Sequence, residues 1–234
     1  MPPRMVVTID GTVGSGKSTA AAGLAARLGA AHLDTGAMYR ALTLKALDAG
    51  ADLEDARALA AMAASTEIEL DGTPGALRVR LDGRDVSAAI RENRVSTNSH
   101  YLARTAGVRR VLVEKQRALA RRAGSIVTEG RDQGTVVFPD ADVKFFLDAA
   151  PEVRARRRQL ELQDRGEYKS YREVLAEIVE RDRRDSTRAA DPLRPAETAV
   201  RVDTSDMTVD QMVDALARIV GERAGGGTFR KEAP

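Results

Sequence analysis

The chain has 234 residues, 43% of them hydrophobic, enough for one sizeable core or a core with a small inserted lobe, with two full domains the weaker expectation. It contains no cysteine and no run of 18 or more apolar residues, which excludes disulfide frameworks, thiolate zinc sites and a membrane-spanning helix. The net charge is only +2, yet all but six of the 37 basic residues are arginine, so a preference for phosphate ligands and a plain bias in coding composition both remain open.

Met1-Pro2-Pro3-Arg4 leads straight into a strand-like run without signal-peptide architecture, and a reducing, cytoplasmic setting is expected. Met5-Val6-Val7-Thr8-Ile9, closed by Asp10-Gly11, has the pattern of a buried parallel strand entering a tight turn. An alanine-rich helix is predicted from Lys17 to Leu28. His32-Leu33 and Asp34-Thr35-Gly36 then predict a short strand and turn, and residues 37–49 a helix stopping at Gly50.

From about residue 66 to 86 the period changes from helical to alternating, and Asp82-Gly83 is a hairpin signal. A small antiparallel insert is therefore expected over about residues 65–99. One long helix is predicted over about residues 100–122, followed by buried strands at Ser125-Ile126-Val127-Thr128 and Val143-Lys144-Phe145-Phe146-Leu147. Beyond Pro151, charged helices to about residue 163 and over about 171–185 flank the polar break around Gly166. Val200-Arg201-Val202-Asp203 and the amphipathic residues 209–220 supply a last strand and helix, and residues 224–234 are expected to be disordered. Strands separated by helices imply parallel crossovers, hence an α/β fold.

Gly11-Thr12-Val13-Gly14-Ser15-Gly16-Lys17-Ser18 fits G-x-x-x-x-G-K-[ST] between a strand and a helix. In such a loop successive backbone N–H groups and the helix N-terminus point at one anion. A nucleoside triphosphate is the expected ligand, bound by Gly11 through Thr19, with Lys17 on the β- and γ-phosphates and Ser18 as a Mg²⁺ ligand. GTPases, ATPases and small-molecule kinases share this loop. An Asn-Lys-x-Asp base-reading segment is absent, which argues against a GTPase.

Arg40 follows the second strand and Arg131 the strand ending near Glu129, at the carboxyl edge where open α/β sheets bind ligands. Fixed cations there suit an acceptor that itself carries phosphate, whose oxygen needs no general base. Ion pairing alone would also account for either arginine. Arg154-Ala155-Arg156-Arg157-Arg158 and the stretch from Glu180 to Arg188 flank the polar break, the arrangement of a lid that excludes water, or of solvated, salt-bridged helices. Arg181, Asp185 and Arg188 recur on one helical face. A nucleic-acid-binding module is the rival reading from basic clusters, but acids are interleaved with them and aromatic residues make up only 3% of the chain.

Thr8-Ile9-Asp10-Gly11 running into the loop, Leu33-Asp34-Thr35-Gly36-Ala37-Met38-Tyr39-Arg40, Glu129-Gly130-Arg131-Asp132-Gln133-Gly134-Thr135-Val136-Val137-Phe138-Pro139 and Lys144-Phe145-Phe146-Leu147 together resemble bacterial cytidylate kinases. The similarity spans about residues 5–220, insert included. It implies a three-layer P-loop fold with a parallel central sheet. A core over about residues 5–60 and 100–222, an acceptor-binding antiparallel insert and a short helical lid over about 155–172 would form one domain.

The resemblance further implies a monomer that moves the γ-phosphoryl group of ATP to CMP or dCMP with Mg²⁺ and contacts neither nucleic acid nor membrane. On matching positions, Arg40 and Arg131 would hold the acceptor phosphate, with Tyr39 beside it, and Thr35 keeps the hydroxyl of a substrate-binding position. Asp132, Arg109 and Arg188 would read the cytosine edge, Arg181 and Asp185 the ribose, and Arg157 of the lid the transferring group. The family's hydroxyl facing the exocyclic amine falls on His100 in an ungapped register, with Ser99 adjacent.

Overall fold

The computed structural model describes residues 5–73, 76–164 and 166–223, so the expected disorder of 224–234 lies outside the described residues. The first β-branched run forms β1 (Val6–Gly11), buried along its whole length, and Gly16 opens α1 (Lys17–Leu28), which ends where Gly29 adopts φ 61°. β2 (Ala31–Asp34) runs directly into α2 (Thr35–Asp48), whose N-terminus is capped by Asp34 Oδ1 accepting from Ala37 N at 2.9 Å.

A helix not anticipated from the sequence follows, α3 (Ala56–Ser65), capped by Asp55 and burying Leu59 and Ala63 one turn apart. The alternating segment makes the antiparallel sheet β3 (Ile68–Thr73), β4 (Ala76–Leu81) and β5 (Arg84–Asp85). Its β4–β5 turn uses Asp82 at φ 49° and Gly83 at φ 80°, the left-handed pair that a tight hairpin requires.

The single helix predicted over about residues 100–122 is in fact two, α4 (Asn93–Arg104) and α5 (Ala106–Ala123). The chain leaves helical geometry at Thr105 (ψ 108°), where the threonine hydroxyl donates to Tyr101 O at 2.8 Å. Residues 93–99, expected within the antiparallel insert, are thus the first turns of α4. β6 (Ile126–Gly130), β7 (Val143–Asp148), the charged pair α6 (Pro151–Asp164) and α7 (Tyr171–Thr187), β8 (Val200–Asp203) and α8 (Val209–Arg223) complete the order. A Ser170–Glu173 capping box fixes the start of α7.

The main sheet is parallel with strand order β2-β6-β1-β7-β8, so β1 is central, with Asp10 beside Gly130 of β6 and Phe146 of β7. Alternation decides the two faces. Val7 and Ile9 pack with Phe145 and Leu147 under α1 and α8, where Leu24, Leu216 and Val220 are fully buried. Val6 faces the opposite side, beside Ala120 of α5. The antiparallel sheet shares a continuous core with α2, α3, α4 and α5 through Val79, Leu81, Ile90, Leu102 and Leu112. A smaller cluster of Ala155, Leu162, Val174 and Ile178 joins α6 to α7. This arrangement puts the carboxyl ends of β1, β2 and β6 and the inner side of α7 around one cleft.

Candidate active site

The loop from Gly11 to Gly16 leaves β1 so close to β7 that a Cβ on Gly11 would overlap the Leu147 carbonyl, and its turn places Gly14 and Gly16 at φ 74° and 85°. The loop ends on α1 with Lys17 buried and Ser18 and Thr19 exposed in the first turn. Lys17 Nζ donates to Thr12 O. Burial and, next, the charge of Arg131 push the Lys17 ammonium down to about 7, with Glu129 and Asp185 pulling the other way. A buried amine next to a guanidinium is poised to receive an anion.

The second half of the cleft grows from β2 and β6. Arg40, one turn into α2, pairs with Asp34 at 3.0 Å, and it folds back over Gly36, where a Cβ would come within 2.9 Å of its guanidinium. Thr35 donates its hydroxyl to Glu129 O at 2.7 Å, tying the start of α2 to the end of β6. Arg131, immediately past β6, pairs with Asp185 of α7 at 2.7 Å. Arg181 lies one turn earlier on α7. Burial, the charge of Arg131 and, after an opposing contribution from Asp185, those of Arg40 and Arg158 hold it down to about 10. Among the described residues no ion pair is formed by Arg181, whereas its neighbours Arg131 and Asp185 satisfy each other. Lys17, Arg40, Arg131, Arg158 and Arg181 are therefore brought together from separate segments, as expected for the first three from the sequence.

Deeper in the cleft, Arg109 of α5 is 2% exposed and is held by Asp132 Oδ2, by Asp191 Oδ2 at 2.7 Å and by the Tyr39 hydroxyl at 3.2 Å. Burial opposes its charge, but Tyr39, Asp132 and Asp191 together raise its already high pKa. Tyr39 is pushed up to about 12, by burial first, with Arg109 opposing. Arg188 donates Nε to Asp191 O at 2.7 Å, and its charge falls on Arg109, Asp132 and Asp185. Asp132, Arg109 and Arg188 thus meet at one place. His100 is partly exposed on α4, donates Nδ1–H to Thr97 O at 2.8 Å and has its pKa lowered by burial first and by the charges of Arg184, Arg104 and Arg181. Ser99 beside it is buried and donates to Ser96 O at 3.0 Å.

The lid arginines divide. Arg157, expected at the transferring group, is bound instead to the β8–α8 connection, donating to Thr204 O at 2.6 Å and Ser205 O at 3.3 Å. Arg158, one position on, is the lid residue whose charge reaches Arg181. Arg154 is buried beneath the phosphate loop, bonded to Val13 O at 3.0 Å and to Asp182 of α7 at 2.6 Å, while Asp182 also accepts from Val13 N at 3.2 Å.

Sequence reasoning missed Arg154, Asp182, Asp191 and Asp10, whose long-range side-chain partners lie 28 to 169 positions away. Only Asp10 carried a local signal, as a carboxylate at the buried end of a strand against a phosphate loop. Among the described residues no group of three or more histidine, aspartate or glutamate side chains is placed to hold a metal ion.

The chain is 46% identical over 224 residues to the cytidylate kinase of Nocardia farcinica (strain IFM 10152), covering 96% of this chain and 97% of that one. It is 49% identical over 219 residues to that of Pelotomaculum thermopropionicum (93% and 96% covered), and 48% identical over 224 residues to that of Mycobacterium avium strain 104 (96% and 98%). The family model for cytidylate kinase matches residues 7–222, a span that contains the Gly11–Ser18 loop and the arginine-lined cleft, and this chain belongs to the cytidylate kinase family.

Proposed function

We propose that this protein transfers the γ-phosphoryl group of ATP to CMP or dCMP, giving ADP and CDP or dCDP, in pyrimidine nucleotide metabolism. The observation that carries the reading is geometric: Arg40, Arg131 and Arg181 converge on the cleft beside the buried Lys17 of the phosphate loop, and among the described residues Arg181 forms no ion pair, while burial and the charge of Arg131 hold both Lys17 and Arg181 down. A triphosphate tail in the loop and a monophosphate between Arg40 and Arg131 would be the anions that these cations receive.

In this reading the backbone amides of the loop and Lys17 hold the donor phosphates. Arg40 and Arg131 hold the acceptor phosphate, with Thr35 tying the start of α2 to Glu129 O beside it; the phosphate oxygen attacks without a base, and catalysis rests on alignment and charge. Arg158, with Arg157 steadying the loop from the Thr204 side, offsets charge on the transferring group. Cytosine presents an amine donor on one side of its edge and acceptors on the other. Asp132 suits the amine, and Arg109 with Arg188 suits the acceptors, with Ser99 or His100 beside them. Asp185 and Arg181 take the ribose.

Mg²⁺ fits the donor side, because it favours phosphate oxygens with one or two protein ligands over a dedicated cage, and the exposed Ser18 hydroxyl stands at the N-terminus of α1. Held there, it would neutralise charge on the β- and γ-phosphates. The working unit in this proposal is one chain acting on small molecules. No helix among the described residues is long and apolar enough to cross a membrane.

A coupled ADP-release assay across CMP, dCMP, UMP, AMP and shikimate tests the proposal. CMP or dCMP should give the highest kcat/KM; preference for AMP or shikimate would replace the acceptor assignment, and absence of turnover with all five would reject it.

A further inference from the structure

Asp10 closes β1 one residue before the phosphate loop, and its side chain projects to the face opposite Ile9, away from the loop's own anion site. It is 2% exposed, and each carboxylate oxygen accepts one of two consecutive backbone amides, Gln133 N to Oδ1 and Gly134 N to Oδ2, both at 2.8 Å. Those amides belong to the turn that carries Arg131 and Asp132. The same turn is tied by Thr128 Oγ1 to Gln133 Oε1 at 2.9 Å, and it comes down onto β1 at Gly134, where a Cβ would lie 2.9 Å from Thr8 Oγ1.

Several cheaper arrangements were open to this sequence. An apolar side chain at position 10 would continue the buried strand, and the turn's amides could face water. A carboxylate in this place is instead costly: burial raises it to about 7 even though the Gly134 and Gln133 amides pull it down. Such a group persists where it fixes geometry that the site uses. The cradle does not need the carboxylate, because the backbone at Asp10 is already held in the ladder beside Gly130 and Phe146.

We propose that Asp10 is a positioning residue for the acceptor, a carboxylate clamp that fixes the Arg131–Asp132 turn at a set height above the end of β1. The inference rests on the acceptor assignment above and extends it to a residue that touches neither substrate. Because both hydrogen bonds of the clamp go to the acceptor-side turn, while Lys17 on the donor side feels only the charge of Asp10, its loss should act far more on the acceptor than on the donor. A merely structural role would affect both alike.

The test is D10N, which keeps size but presents an amide NH₂ to one of the two N–H groups. CMP and ATP are each varied, with the unaltered protein alongside. We expect KM for CMP to rise about tenfold and kcat to fall about tenfold, with KM for ATP within about twofold, the loss of one charged hydrogen bond. Equal changes in both KM values, or none, overturn the inference; failure of the unaltered protein to use CMP would instead overturn the acceptor reading. Should D10N not fold, amide exchange in the unaltered protein decides. Exchange at Gln133 and Gly134 should slow about tenfold with saturating CMP and not with a non-hydrolysable ATP analogue alone, and any other pattern overturns the clamp.

Discussion

Arg131 donates Nε to Asp185 Oδ2 across 2.7 Å, joining the turn after β6 to helix α7 over 54 positions of sequence. Burial works against ionisation of Asp185, but Arg131 and Arg181 beside it hold its carboxyl below the usual carboxylate range. This carboxylate is the anion against which Arg131 rests in the structure, and it stands where the acceptor's ribose is assigned. Removing it leaves Arg131 and Arg181 facing each other without compensation. D185A should therefore raise KM for CMP about tenfold or more while KM for ATP stays within about threefold. Steady-state kinetics with each substrate varied would show it, and equal effects on both would remove Asp185 from the acceptor site.

Lys17 gives a pH dependence with a definite sign. Its folded pKa is lowered to about 7, so the cleft without nucleotide holds it charged below neutral pH and increasingly neutral above. Donor phosphates favour the charged form, so ATP binding above pH 7 must take up a proton. KM for ATP should be flat below pH 7 and rise with pH through 8 and 9. Calorimetry of a non-hydrolysable analogue in buffers of different ionisation heat should show uptake approaching one proton at pH 8, and zero uptake there would contradict the placement of Lys17. K17A should lower kcat by at least about a thousandfold without unfolding the protein.

Local patterns were readable because their physical causes are local. The glycine-lysine-serine loop, its flanking strand and helix, and the Asp82-Gly83 hairpin all depend on residues a few positions apart. The break between α4 and α5 was not readable. Thr105 is neither glycine nor proline, and its exit from helical geometry follows from packing Leu102 and Leu112 into one core. Helix α3 was passed over because its polar approach, Asp52 to Asp55, reads as loop and its short alanine-rich repeat gives a weak period. In the cleft, Arg40, Arg109, Arg131 and Asp185 could be named from motifs. Asp10, Asp182 and Asp191 act through partners brought near only by the fold, and whether Arg157 or Arg158 faces the cluster depends on where Thr204 sits.

Arg181 should trade stability against activity. Its pKa is held down to about 10 by burial and by Arg131, so at neutral pH folding presses an unwilling cation into the cleft. That penalty holds at pH values below about 10 and disappears when the charge is deleted. R181M should raise the melting temperature of the protein without nucleotide by a few degrees, about 1 kcal/mol at this chain length, and lower kcat/KM for CMP about a hundredfold. Scanning calorimetry and kinetics on the same preparation would check both halves. A lowered melting temperature would mean that Arg181 is satisfied where it sits.

The close approach of the Asp132 turn to β1 supplies a test by paired substitution. Gly134 has no side chain, and an added Cβ would lie 2.9 Å from Thr8 Oγ1 and 3.2 Å from the Lys144 side chain. The lysine stem can swing aside, but Thr8 is fully buried in the central strand and cannot. G134A should lift the turn, lowering both thermal stability and kcat/KM for CMP, the latter about tenfold, a scale set by about 1.4 kcal/mol of displaced binding. T8A removes the atom that is struck, and the Thr8 hydroxyl is itself buried without a hydrogen-bond partner, so its loss alone should cost little. The T8A/G134A double variant should then recover most of the lost kcat/KM, a coupling of about 1 kcal/mol between the two sites. Strict additivity in that cycle would mean that the height of the turn above β1 is set elsewhere than at Thr8.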